Sequence, residues 1–179
     1  VCESTLQWLT PMEEIRIIAC GGKYRTGKSF LLNRLANASS NTGFGVGDTV
    51  QACTKGLWIF KQVFEYDGKK IVFMDTEGID ALDANDTHDV RIFSLALLLS
   101  SSFIYNSMGA IDETQISTLS LMTRVTENVR IDSEGSSNAK GLAPHMPKFY
   151  WILRDFNLKL TDKQNQPISE QEYLEQALA

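Results

Sequence analysis

The sequence predicts an α/β domain with a mostly parallel central sheet, one antiparallel hairpin strand and helices on both faces. The first observation behind this is a β-branched run, "IRIIAC" from Ile15 to Cys20, that stops at Gly21-Gly22 and gives way from Lys28 to apolar residues at helical spacing. The second is that strand-like and helix-like runs go on alternating to the end of the chain, the order that a parallel sheet with crossover helices requires. The third is Asp67-Gly68, a strong hairpin turn pair, set between two strand-like runs.

Taken in order, Ile15 to Cys20 is a buried strand, and "KSFLLNRLAN" from Lys28 sets Phe30, Leu31, Leu32 and Leu35 on one side of an amphipathic helix. "ASSNTGFGVGDTV", Ala38 to Val50, holds no sustained period and is expected to be an exposed, flexible connection. "LWIFKQVFEYDGKKIVFMD" then supplies the hairpin, ending on Asp75. After the polar stretch "IDALDANDTHD" come a helix through about Val90 to Leu99, a strand near Ser102 to Asn106, and a helix over Glu113 to Arg130. Ile131 to Pro147 is turn-rich and polar, as a surface loop would be. "KFYWILRDF" returns to strand character, and Ser169 with Glu172 at capping-box spacing opens a last helix.

Composition narrows the function classes. The chain has 179 residues, 43% apolar and 22% charged, which suits one soluble domain with a sizeable core. A formal charge of −5 with no basic cluster argues against nucleic-acid binding. Cys2, Cys20 and Cys53 are odd in number and lack metal-ligand spacing, which fits free thiols in a reducing, cytoplasmic setting. Only His88 and His145 are available for a zinc site or a Ser/His/Asp triad, which leaves little raw material for either. The longest apolar run, around Phe93 to Leu99, falls well short of the roughly 20 residues of a membrane span. A chain starting at Val1 with no leader reads as a piece of a longer protein.

The chemistry is concentrated in "ACGGKYRTGKSF". Gly22, Gly27, Lys28 and Ser29 satisfy G-x-x-x-x-G-K-[ST] between a strand and a helix. In such a P-loop the glycines bend the backbone so that its N–H groups face phosphate oxygens, Lys28 reaches the β- and γ-phosphates, and the Ser29 hydroxyl ligates Mg²⁺. The loop as a whole, Gly22, Lys23, Tyr24, Arg25, Thr26, Gly27, Lys28, Ser29 and Phe30, is expected to line the nucleotide. Arg25 is surplus to phosphate holding and asks for a second explanation. Asp75, which ends "KKIVFMD" and opens "DTEG", has the position of the acidic residue at the Mg²⁺, and the Gly78 backbone can approach a γ-phosphate. Thr54 is a candidate switch hydroxyl for the metal, although Thr42 and Thr49 share its loop. Arg154-Asp155 ends the last strand, where a carboxylate can accept from the N1–H and 2-amino group of guanine, a donor pair that adenine lacks.

In the order "GKYRTGKSFLLN", "TKGLW", "DTEG", "NSMGAIDETQISTLSLMTRVTENVR" and "WILRDF", the sequence resembles the large GTPase domain of guanylate-binding proteins from about Ile15 onward. The related atlastins typically carry Gln at the position of Glu77, and small GTPases carry [NT]-K-x-D at that of Arg154-Asp155. The resemblance implies a P-loop NTPase of the Ras-like, dynamin-superfamily kind, spanning 1–179 as a single GTPase domain that stops short of a guanine cap and helical stalk. It implies GTP and GDP as ligands, Mg²⁺ as cofactor, and a GTP-dependent homodimer formed through the nucleotide faces. Arg25 would be an internal arginine finger, Lys28 and Ser29 would hold phosphate and metal, Thr54 would serve the switch, Asp75 would act through the Mg²⁺ shell, Glu77 would join the network around the attacking water, and Asp155 would contact guanine. Membrane association would belong to regions outside this chain. Ala52 and Cys53 stand where better-known members have Ser and often His, and Lys23 stands where an aliphatic residue is common. Two other functions stay open: a nucleotide-gated interaction module that scarcely hydrolyses, and an ATPase, since a phosphate loop does not read the base.

Overall fold

The computed structural model describes residues 2–38, 42–46, 54, 56–78, 87–127 and 146–179. The helix α1 (Glu3–Leu9) precedes β1 (Ile15–Gly21), followed by α2 (Lys28–Leu35), β2 (Leu57–Ile59), β3 (Phe64–Tyr66), β4 (Lys69–Thr76), α3 (Thr87–Leu99), β5 (Ser102–Met108), α4 (Glu113–Glu127), β6 (Lys148–Arg154) and α5 (Glu170–Leu178). The sheet runs β2-β4-β1-β5-β6, with β3 also paired to β4. β1 is parallel to β4 and β5, and β5 is parallel to β6.

The alternation of side chains along a strand builds two cores at once. From β1, Ile17 and Ala19 point to one face with Phe103 and Tyr105 of β5, Met74 of β4, and Phe93, Ala96 and Leu97 of α3. Ile18 and Cys20 point to the other, with Ile104, Phe73, Leu32 of α2 and Ala36 at its C-cap. Helices therefore cover both faces, as expected. Aromatic rings lock the first core: Phe93 lies 4.8 Å from Phe103 and Tyr105 lies 5.5 Å from Trp151, centroid to centroid.

Two sequence expectations are corrected. The hairpin contributes two short strands where one was expected, since β2 and β3 both run antiparallel to β4. The ladder breaks between them because the Gln62 N–H turns back to the Phe60 carbonyl at 2.8 Å, while Phe60 and Phe64 still face the same core. The connection after α2 is not wholly exposed either. Phe44 is buried there, and the Asn33 side chain accepts from its N–H at 2.7 Å and donates to its carbonyl at 2.9 Å. The carboxamide supplies both partners that a buried backbone unit needs, and this anchored aromatic has no periodic signal around it. The capping box of α5 is present as anticipated, with the Glu172 N–H donating to Ser169 Oγ and the Ser169 N–H to Glu172 Oε2. The helix over Glu113 onward is described as far as Glu127, and the loop to Pro147 lies mostly outside the described residues. Among the described residues, no helix is long and apolar enough to cross a membrane.

Candidate functional site

Strand register delivers the site. Cys20 on β1 is opposite Asp75 on β4, Gly21 is opposite Tyr105 on β5, and Met108 on β5 is opposite Arg154 on β6. The carboxyl ends of four neighbouring strands thus open onto the loop between β1 and α2, where ligands of open α/β sheets bind. Thr76 adds a cross-tie, its hydroxyl donating to the Cys20 carbonyl at 2.9 Å.

Two glycines of the loop are required by geometry. Gly22 has a φ of 143°, and a Cβ there would collide with the Asn106 carbonyl oxygen. Gly27 has a φ of 78°, and a Cβ there would collide with the Arg154 guanidinium. Between them the loop is held by two carbonyls. The Lys23 carbonyl accepts from the Thr26 hydroxyl at 2.8 Å and from Lys28 Nζ at 3.1 Å. The Thr26 carbonyl accepts from Asn106 Nδ2 at 2.8 Å and from Arg154 Nη1 at 2.9 Å, and the same Nη1 lies 3.4 Å from the Gly27 carbonyl. The Arg154 guanidinium also sits over the Phe30 ring, 5.6 Å from its centroid.

Lys28 is buried, and desolvation lowers its pKa, opposed by the nearby Asp75. Asp75 is fully buried, and burial raises its pKa against the opposing pulls of Ser29, Lys28 and Thr54. Its Oδ2 accepts from the Ser29 hydroxyl at 2.6 Å and from the Thr54 hydroxyl at 3.1 Å. Its Oδ1 is buried and has no hydrogen-bond partner among the described residues. A desolvated carboxylate with an orphaned oxygen, beside two hydroxyls, is a hard-oxygen donor set that suits Mg²⁺.

The "DTEG" turn closes the site from the β4 side. Glu77 and Gly56 form a reciprocal pair, the Gly56 N–H donating to Glu77 Oε2 at 2.7 Å and the Glu77 N–H to the Gly56 carbonyl at 2.8 Å. Gly78 packs so closely on the phosphate loop that a Cβ would lie 2.5 Å from Tyr24 Cα. The fold thus brings Gly22 to Ser29, Thr54, Asp75, Glu77, Gly78 and Arg154 into one region. Arg25 and Lys23 are exposed on the loop, Arg25 with a φ of 61° and its guanidinium 5.6 Å from the Tyr24 ring centroid. Asp155 is exposed just beyond β6 with a φ of 53°. Ala52 and Cys53 lie outside the described residues.

Sequence reasoning missed Asn106 and His88. Asn106 is fully buried at the end of an apolar strand, and a lone carboxamide in "FIYNSM" is the signal that could have singled it out. His88 lies in the first turn of α3 with Nε2 3.3 Å from Glu77 Oε2, a contact that sequence spacing does not encode.

Residues 3–179 match the family model described as guanylate-binding protein, N-terminal domain. Guanylate-binding protein 2 of Mus musculus is 38% identical over 172 residues, which cover 93% of this chain and 29% of that protein. Guanylate-binding protein 1 of Chlorocebus aethiops is 39% identical over 93% of this chain and 29% of its own length. Guanylate-binding protein 4 of Homo sapiens is 40% identical over 93% of this chain and 26% of its own length. The chain thus spans less than a third of these relatives, and with a match over this extent it belongs to the guanylate-binding protein family, through that family's N-terminal domain.

Proposed function

We propose that this domain binds and hydrolyses GTP, as the large GTPase domain of a guanylate-binding protein. The observation that carries the reading is the buried Asp75, whose Oδ2 gathers Ser29 and Thr54 while its Oδ1 has no partner among the described residues. Ser29 and Thr54 would hold Mg²⁺ with Asp75 in its shell, and the ion would supply positive charge against the phosphates there. Lys28 then exchanges the Lys23 carbonyl for phosphate oxygens, a move from a neutral acceptor to an anionic one that its burial strengthens. The loop N–H groups and the Gly78 N–H line the phosphates. Glu77 orients the attacking water through its hydrogen bonds.

Arg154 acts through the loop, holding Thr26 and Gly27 beneath the phosphates, while the adjacent Asp155 accepts from guanine. Arg25 is the internal arginine finger. Its exposure and left-handed backbone suit a residue aimed by a second copy of the domain, and pairing of nucleotide faces would turn it onto the transferring phosphoryl group.

The test is single-turnover hydrolysis with Mg²⁺, using GTP and ATP in competition for one site. Phosphate release from GTP, with ATP failing to displace it, is the expected outcome. Tight GTP binding with no phosphate release would leave a nucleotide-gated module, and equal competition by ATP would remove the guanine assignment.

A further inference from the structure

Outside the phosphate loop, a backbone N–H and two side chains meet at Glu77 in a cluster whose third member, His88, has no assigned role. Glu77 Oε2 accepts the Gly56 N–H at 2.7 Å and also faces His88 Nε2 at 3.3 Å. In the tautomer protonated at Nε2, His88 donates this contact to the carboxylate oxygen. The side chain of Glu77 is 24% exposed and that of His88 62%. The more exposed histidine and the Gly56 backbone thus meet at one oxygen of the less exposed carboxylate.

We propose that His88 is a positioning residue for Glu77, closing a three-member clamp of Gly56, Glu77 and His88 that fixes the switch threonine relative to the "DTEG" turn. The logic lies in which oxygen is used. Gly56 and His88 both engage Oε2, so the carboxylate is held by one oxygen and its rotation about the terminal torsion, soft in an unrestrained Glu, is stopped. Oε1 is then the oxygen through which Glu77 meets the water network. Gly56 is two residues from Thr54, whose hydroxyl donates to Asp75, so a fixed Glu77 also limits how far Thr54 can leave the metal site. His88 sits on α3, a helix packed into the core through Phe93, Ala96 and Leu97, which gives the clamp a rigid anchor on an element separate from both switch segments.

This role rests on the GTPase reading, yet the clamp can be tested apart from it. Substituting His88→Ala is expected to speed amide hydrogen exchange at Gly56 in the nucleotide-free protein and to slow single-turnover GTP hydrolysis about fivefold to tenfold. Affinity for a non-hydrolysable GTP analogue should stay within about twofold, since the clamp acts on the orientation of Glu77 while Lys28 and the phosphate-loop N–H groups supply the proposed hold on the phosphates. His88→Gln should restore both readouts, because its amide nitrogen lies about as far along the side chain as Nε2 and donates in the same direction. In a Glu77→Ala background, His88→Ala should add nothing to either. An unchanged Gly56 exchange rate in His88→Ala, failure of Gln to rescue, or multiplying effects of the two alanine substitutions would each overturn the role. If the unsubstituted protein binds GTP without releasing phosphate, the GTPase reading fails while Gly56 exchange still decides the clamp.

Discussion

At the scale of single residues, burial decides what each charged group in the site can do. Asp75 is the sharpest case. Its pKa is raised by burial, so the fold favours the protonated form more than the unfolded chain does. Protein without metal and nucleotide should therefore lose stability as pH rises from the ordinary carboxylate value, near 4, through the raised folded value. Substituting Asp75→Asn should flatten that loss, raising the urea midpoint at pH 7 while abolishing Mg²⁺-dependent nucleotide binding. An unchanged or lower midpoint at pH 7 would count against a strained carboxylate kept for the metal. Arg25 and Lys28 separate along another line. Arg25 is exposed and Lys28 is buried beneath the loop. Arg25→Ala should lower stimulated turnover by roughly a thousandfold or more with nucleotide affinity little changed. Lys28→Ala should weaken nucleotide binding itself, which titration with a fluorescent GTP analogue would register. Gly22, Lys28, Ser29 and Asp75 were legible in the sequence because their spacing is tied to backbone geometry. Asn106 and His88 were not, because each meets its partner across elements far apart in the chain.

At the scale of elements, the sequence was most informative where periodicity was clean. β1, α2, β4, β5, β6 and α5 all arise where apolar spacing or a capping pair announced them. The hairpin was harder, since "LWIFKQVFEY" is apolar enough to read as one strand and only the local turn at Gln62 divides it. α1 gave no periodic signal because it is short and buries none of its residues. Phe44 was hidden by its Ser-, Thr- and Gly-rich surroundings, and its burial depends on Asn33 from α2. Asn33→Leu should then cost about 2 kcal/mol or more, because it keeps the bulk and leaves the Phe44 N–H and carbonyl unpaired in the core. Ser169→Ala, which removes one half of an exposed capping box, should cost only about 1 kcal/mol. Chemical denaturation of both variants checks the ordering, and an Asn33→Leu variant as stable as Ser169→Ala would mean that the Phe44 clasp contributes little.

At the scale of the whole molecule, the parallel order β4-β1-β5-β6 sets four strand ends side by side and makes one broad face, the proposed nucleotide face, with Arg25 exposed on it. If that face pairs with a second copy, GTP turnover per chain should rise with protein concentration and then saturate as the dimer fills. The finger is proposed to act within its own subunit, which makes a mixed experiment decisive. At a low, fixed concentration of unsubstituted protein, adding excess Arg25→Ala protein should raise phosphate release per active chain, because the substituted partner still supplies the face that aims the intact Arg25. A finger reaching into the neighbouring subunit gives the opposite result, since the added partner would bring no guanidinium and turnover would fall or stay flat. Arg25→Ala protein alone should show low activity at every concentration. A profile that is flat in concentration for the unsubstituted protein as well would remove dimer activation from this domain, and turnover that is flat yet still abolished by Arg25→Ala would make Arg25 a resident phosphate ligand that needs no partner.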